Sequence, residues 1–406
     1  MEIKHDPYSA LRFREFRFFV TGKLILTVAV LMQEIIVSWM IYAQTKDPFS
    51  LGLIGLTEAI PALLLALPGG HLADRFNRRH LMMFATCLML IASFILTLYA
   101  YYWTSQGTWP AYAVIFMIGV ARGLYNPAQS SFWTQLVPRE NYVNSSVWNS
   151  SMWQVGAVTG PALGGLCYGW IGPGESLIIV SCLILVTLFF YSLIGNKPIP
   201  PAIKGETVKE SLQAGLKFFF SQPVLISAIT LDLFAVLFGG AVALLPAFAD
   251  QILHVGPEGT GILRSAPAVG AVIMSVIQAF YPPRKNAGRK MLFCVAMFGF
   301  CMIGFALSTV FWISFVMLLL SGMFDNVSVV IRSTILQIYT PDQMRGRISA
   351  VNSIFVGSSN EIGAFESGLA ARVLGLVPSV IFGGTMTLIV TAITAKLAPV
   401  MKKLDL

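Results

Sequence analysis

The sequence predicts an all-α membrane protein, with twelve transmembrane helices in two pseudosymmetric six-helix bundles. Three observations predict it. Of its 406 residues, 56% are hydrophobic and only 11% are charged. Soluble domains carry about 25% charged residues, and a surplus of apolar residues is needed only where helices also face lipid. The apolar residues fall in blocks long enough to cross about 30 Å of hydrocarbon as helix. The basic residues fall almost entirely in alternate connections between those blocks.

Span 1, 18–44, follows a lead, MEIKHDPYSALRFREFRFF, that carries Lys4, Arg12, Arg14 and Arg17. The lead has no short apolar region with a small-residue cleavage site, so span 1 is expected to serve as its own insertion signal. Spans 50–74 and 80–103 flank the stretch GGHLADRFNRRH, with Arg75, Arg78 and Arg79. Span 110–136 precedes Arg139, and spans 141–169 and 175–195 complete the first six. The connection NKPIPPAIKGETVKESLQAGLKFFF then supplies Lys197, Lys204, Lys209 and Lys217. Its Pro-rich start breaks helix, and ETVKESLQAGLKFF reads as an amphipathic helix on the membrane surface. Residues 1–196 are therefore expected to form one bundle, 197–221 a cytoplasmic linker and 222–406 a second bundle. The second six spans are 222–250, 256–281, 289–308, 310–338, 344–372 and 376–398. Arg284, Lys285, Arg289 and Lys290 follow the second of these, Arg345 and Arg347 the fourth, and Lys396, Lys402 and Lys403 close the chain. All these basic residues lie on one side, with Lys46 and Arg372 on the other. That asymmetry places both termini in the cytoplasm of a plasma membrane, expected to be a bacterial inner membrane. It also accounts for the net charge of +8 as a set of orientation signals, not a nucleic-acid surface.

The halves repeat. A shift of 206 lays GLTEAIPAL (55–63) on GILRSAPAV (261–269), and Arg78 and Arg79 on Arg284 and Lys285. A shift of 203 lays Asn149 on Asn352, Gly119 on Gly322, Gly160 on Gly363 and Gly165 on Gly368. Six spans is an even number, so the repeats run parallel about an axis along the membrane normal.

Two motifs carry a family resemblance. In GHLADRFNRR, Gly70 permits close helix approach, Asp74 suits the positive end of a neighbouring helix, and Arg75, Arg78 and Arg79 hold the loop inside. In GAVTGPALGG, Gly156, Gly160 and Gly164 lie four apart on one helical face, Gly165 widens it, and Pro161 removes a backbone donor. The first resembles the signature loop of the major facilitator superfamily, with Asn77 where glycine is usual. Asparagine tolerates left-handed backbone better than most residues. The second resembles the helix-5 motif of the exporting, antiporter branches. RGLYNP, from Arg122, partly resembles a third motif, and PDQMRGRISAVNSIFVGSSNEIGAFESG looks like the enterobactin-exporter-like branch. The resemblance implies the major facilitator fold with alternating access. It also implies a conformational latch in which Asp74 meets the start of helix 11 near Arg345 to Ile348.

Ionisable groups inside spans are costly and functional by default. They are Lys23, Glu34, Glu58, Arg122, Asp232, Arg264, Asp325, Arg332, Glu361 and Glu366. The repeat lays Glu58 on Arg264 and Arg122 nearly on Asp325. Each pair reads as a gate or proton-exchange pair, or as a static buried pair kept for packing specificity. Glu34 and Asp232 lie on helices that line the cavity in the resembled superfamily. Glu361 and Glu366, five apart, face different directions. Trp39, Tyr125, Trp148, Trp153 and Phe234 are candidates for substrate contact, or else for lipid and core packing.

The expected function is export of an amphipathic small molecule, siderophore-like or drug-like, by proton antiport from a monomer in contact with membrane lipid. The alternative is a lysophospholipid transporter or flippase without proton antiport. The chain has no P-loop, no metal-ligand spacing and no nucleophile elbow, so no cofactor, metal or enzyme activity is expected. Its cysteines, Cys87, Cys167, Cys182, Cys294 and Cys301, lie in apolar runs without CxxC spacing and read as packing residues. The topology has a direct check. In a background lacking the native cysteines, a cysteine at Gln106 should react with an impermeant thiol reagent in intact cells, and one at Lys204 should not. The reverse pattern inverts the topology.

Overall fold

A computed structural model describes residues 6–198, 216–281, 283, 285–341, 344–397 and 404. Among these residues all regular structure is helical. The principal helices are α1 (Arg14–Thr45), α2 (Pro48–Arg75), α3 (Arg78–Leu98) and α4 (Trp109–Phe132). A run from Tyr142 to Ser192 breaks at Gly172, whose φ of 84° is left-handed. Glycine carries no Cβ penalty there, and Pro173 has no amide hydrogen to lose. The run is therefore two helices, α5 (142–171) and α6 (173–192). The second half holds α7 (Pro223–Gln251), which tightens at Gly240–Leu244, and α8 (Pro257–Phe280). It continues with α9 (Ala287–Leu307), α10 (Phe311–Tyr339), α11 (Arg345–Leu374) and α12 (Leu376–Leu397).

Nine helical stretches among the described residues are long and apolar enough to cross a membrane, and one of these contains both α5 and α6. The two helices outside that set are α4, with Arg122, Asn126 and Gln129, and α11, with Asn352, Asn360, Glu361 and Glu366. Both correspond to expected spans. The expected amphipathic linker helix, 206–219, falls mostly on residues outside those described, and its end, 216–219, lies in a helical stretch that runs to 221.

The chain packs as two compact units, residues 1–40 with 60–203, and 41–59 with 204–406. The turn joining α1 to α2 thus packs with the second unit. Within the first unit, the glycine face of α5 lies directly on α1. A Cβ on Gly156 would meet Thr27 Cγ2 at 2.5 Å, one on Gly160 would meet Leu31 Cβ at 2.8 Å, and one on Gly164 would meet the Met32 carbonyl oxygen at 2.8 Å. The two helices run parallel and touch through backbone over two turns of α5. Lipid tails are as apolar as side chains, so such seams are held by close packing, not by exclusion from water.

The second unit repeats this seam. Gly363 of α11 packs on α7, where its Cβ would lie 2.7 Å from the Leu237 carbonyl oxygen. A second type of seam also recurs. Gly123 of α4 meets Leu65 and Ala62 of α2, and Gly322 of α10 meets Pro267 of α8. The sequence repeat is therefore a repeat of helix contacts for Gly160 and Gly363, whereas on α4 the contact falls on Gly123, one turn beyond the Gly119 that the sequence lays on Gly322.

Gly160→Val should cost about 1–3 kcal/mol by overpacking, read as a lower melting temperature in detergent. Gly70→Ala is the control, because a Cβ there meets nothing within 4 Å, and it should melt with the wild type. Equal melting of the two variants would dissolve the seam.

Candidate functional site

The basic loop after α2 acts first within its own unit. Asn77 does not adopt the left-handed conformation that its place in the motif suggested. It sits at φ −62° and ψ 116°, and its side chain accepts hydrogen bonds from the amides of Arg79 and His80, capping α3. Its amide donates to the Lys197 carbonyl at 3.0 Å. Arg78 donates to the carbonyls of Ala73 and Ser131. Arg79 donates to the carbonyls of Tyr191 and Ser192 and to Asn196 Oδ1. A guanidinium on the last carbonyls of α6 satisfies acceptors that the helix itself leaves open. Glu15 at the start of α1 accepts from Lys197 Nζ and the Gly195 amide. The loop thus staples the starts of α1 and α3 to the ends of α4 and α6. Arg75 is exposed. The close approach expected of Gly70 belongs to Gly69, which lies against Gly123 of α4. The side chains of Asp74, Arg345 and Arg347 fall outside those described.

Higher in the first unit, the seam turns Asn149 of α5 toward α1, because positions 149, 156 and 160 share one face. Lys23 Nζ donates to Asn149 Oδ1 at 2.6 Å and approaches the Asn149 carbonyl at 3.5 Å. Gln129 Nε2 of α4 reaches the same Oδ1 at 3.5 Å. The aromatic candidates separate. Tyr125 is buried and shares a hydrogen bond of 2.8 Å with the Tyr191 hydroxyl, which makes it core. Trp148 donates to the Pro7 carbonyl at 3.1 Å and packs against Tyr8, so it anchors the N-terminal segment. Trp153 is 50% exposed and Trp39 is buried. Glu34 and Arg122 are half-buried, and each makes at least one polar, ionic or ring contact.

The second unit holds the most buried charge pair among the described residues. Arg332 of α10 donates to Asp232 Oδ2 of α7, and the two side chains are 8% and 3% exposed. Ile229, Leu231, Ile331 and Ile335 belong to the apolar cluster around them. Asp325 lies two turns before Arg332 on the same face of α10 and feels the charges of both Asp232 and Arg332. Arg332 is thus the cation that this unit places near Asp325. Arg122, the partner suggested by the repeat, lies in the other unit. Depth counting along the helices would have found the Asp232–Arg332 pair. At 1.5 Å per residue, Asp232 lies about 14 Å from the start of α7 and Arg332 about 10 Å from the end of α10.

Glu58 and Arg264 are both in the second unit, and neither is free. Glu361 lies beside Gly55 of α2, whose Cβ would stand 3.3 Å from its Oε2. Phe234 stacks on Phe238 at 6.2 Å. The turn between α1 and α2 is tied by Asp250, which accepts from Lys46 Nζ at 2.8 Å and from the Tyr42 hydroxyl at 3.3 Å. Gln251 donates to the same hydroxyl at 2.8 Å. Sequence reading gave no role to Asp250. Its signal was an acid at the end of a span opposite Lys46, the one lysine on the minority side.

Residues 5–406 match the family described as transmembrane secretion effector. The chain is 26% identical over 355 residues to the enterobactin exporter EntS of Shigella flexneri, covering 86% of this chain and 83% of that one. It is 25% identical over the same length to the enterobactin exporter EntS of Citrobacter koseri. Solved structures share the fold at low identity. One is a POT family transporter in complex with 5-aminolevulinic acid, with TM-score 0.77 and 14% identity over 96% of this chain and 97% of that one. Another is a bacterial homologue of the human lysosomal transporter Spinster in an inward-facing, unoccupied conformation, with TM-score 0.71 and 16% identity over 96% of each chain.

The buried pair has a stability signature. Arg332→Ala leaves Asp232 buried and unpaired, which costs about 3–5 kcal/mol. Combining Asp232→Leu with Arg332→Met should recover the wild-type melting temperature, because well-packed apolar residues replace buried ion pairs without loss. A single variant that melts with the wild type would place the pair in water.

Proposed function

The chain belongs to the transmembrane secretion effector family of the major facilitator superfamily, and from that membership we propose that it exports an amphipathic small molecule by proton antiport. As a multi-pass membrane transporter of this superfamily it moves a small molecule. The finer reading is a siderophore-like cargo, since the relatives of matching length are named enterobactin exporters, carried outward across a bacterial inner membrane with both chain termini in the cytoplasm. The observation that carries proton coupling is the charge group of Asp232, Arg332 and Asp325 inside an apolar bundle. Two carboxylates stand against one guanidinium there, so the acidic groups outnumber the cation. Asp232 holds Arg332 directly, which leaves Asp325 as the group that gains and loses a proton. Burial favours the neutral form of a carboxylate, and an approaching cation favours the charged form. Asp325 and Arg332 ride on the same helix, so movement of α10 against α7 changes the distance from Asp325 to Asp232: approach of that carboxylate favours uptake of a proton, and withdrawal favours its release.

Glu58 and Arg264 on this reading set the opening equilibrium, and Glu34 remains a second coupling candidate. Asp74 with Arg75, Arg78 and Arg79 forms the inner latch. Trp153 in the first unit, and Glu361 and Phe234 in the second, are the candidates for contact with the cargo, which moves through a monomer in contact with lipid.

Asp325→Asn should abolish accumulation of enterobactin in everted vesicles driven by a pH gradient, while downhill exchange in proteoliposomes continues. Asp232→Asn should impair both, because Arg332 loses its anchor. An Asp325→Asn protein that still concentrates enterobactin with wild-type pH dependence would remove the coupling role from Asp325. Wild-type lysophospholipid movement without any proton flux would replace antiport by flipping.

A further inference from the structure

Lys23 stands apart from the other lysines that the structure pairs. Lys46 meets Asp250 and Lys197 meets Glu15. Lys23 lies nine residues into α1, about 14 Å along it, inside the expected first span of 18–44. Among the described residues its ammonium meets only the two oxygens of Asn149 and no carboxylate. A charge at that depth is costly unless it is compensated, and an amide oxygen compensates a dipole, not a charge. The side chain is turned onto α5, and the α1–α5 glycine seam fixes the position of its partner.

The unused capacity at this point consists of donors. An ammonium has three hydrogens and an asparagine amide two. Lys23 spends its hydrogens on a single residue, and among the described residues the Asn149 Nδ2 donates to nothing. Lys23 and Asn149 are both half-buried, so the cluster is not sealed in the core. Gln129 holds Asn149 Oδ1 from the other side. Trp153, one turn along the same face of α5, is 50% exposed. A positive donor beside a neutral donor, with an aromatic plane one turn away, suits an oxyanion on a flat ring.

We propose that Lys23 and Asn149 form a subsite for the acidic group of the transported molecule, a carboxylate or catecholate carried on an aromatic ring. This rests on the export reading, whose cargo class it narrows. The bound anion supplies the counter-charge that the protein leaves out at Lys23.

The test uses the full chain in nanodiscs and three probes: 2,3-dihydroxybenzoate, its uncharged amide, and lysophosphatidylglycerol, whose phosphate offers the same oxyanion from a lipid. The wild type should bind the acid at least tenfold more tightly than the amide. Lys23→Gln should erase that preference while leaving affinity for the amide unchanged, and Lys23→Arg should keep it. A purely structural Lys23–Asn149 tie would weaken both ligands equally and would overturn the proposal, as would a Lys23→Gln protein that still prefers the acid. Lys23-dependent binding of lysophosphatidylglycerol without binding of the acid supports the anion subsite but assigns it to lipid. Asp325→Asn should keep the acid preference, so failure of proton coupling and failure of this subsite are read separately.

Discussion

Contact between backbones at glycine is the constraint on which the rest of this structure depends. In a bilayer, burying one apolar helix against another gains little over burying it in lipid. Hydrophobicity therefore puts the helices in the membrane without choosing their neighbours. The choice falls to positions where two helices approach more closely than side chains allow. Gly156, Gly160 and Gly164 make that choice for α5 and α1. Gly123 makes it for α4 and α2, and Gly322 and Gly363 repeat both choices in the second unit. Once the α5–α1 seam closes, Asn149 has nowhere to point but toward Lys23. The polar cluster is therefore a consequence of packing several residues away.

Charges then divide into those that hold structure and those that leave something open. Arg79 on the carbonyls ending α6, Lys197 on Glu15 and Lys46 on Asp250 are closed pairings at helix ends, where water and dipoles moderate the cost. Asp232 and Arg332 form a closed pairing deep in the second unit. Such a pair contributes less to stability than packed apolar residues would, because desolvation offsets its attraction. Its presence is better explained by what it does to Asp325. A carboxylate on the facing helix, held in place by Arg332, makes Asp325 sensitive to small displacements of α10 against α7.

Much of this was legible in the sequence, and the boundary of legibility is physical. Span positions follow from length and apolarity, which are local. The loop GHLADRFNRR and the seam GAVTGPALGG were legible because the motifs are contiguous. The helix that the seam meets was not legible, since Thr27, Val28, Leu31 and Met32 look like any lipid-facing residues. The loop held two surprises of conformation. Asn77 caps a helix instead of bending left-handed, and Gly69 takes the close contact expected of Gly70. Both turn on one residue's worth of register, which pattern matching does not resolve. Sequence symmetry suggested Arg122 for Asp325, whereas depth counting points to Arg332 beside Asp232. Between these two halves the glycine contacts recur at the same helix pairs and the charges do not. Trp148 and Tyr125 looked like cavity aromatics because composition cannot tell a ring held by Pro7 or Tyr191 from a ring in open space.

That last contrast bears on how the two halves divide their labour. The glycine seams repeat between units, so each half presents two helices in the same relation, α1 with α5 and α7 with α11. The charges at those helices do not repeat. The α1 side carries a cation with only neutral partners, and the α7 side carries an anion already matched by Arg332. On the proposed assignments, the first unit waits for an anion from outside the protein, and the second handles a proton among its own groups. An exporter that couples the two needs this separation. If cargo and proton competed for one carboxylate, an acidic cargo would be repelled whenever that carboxylate was ionised. Placing the cation on one unit and the titrating acid on the other lets both bind without sharing a charge, so the coupling between them has to run through the positions of the helices.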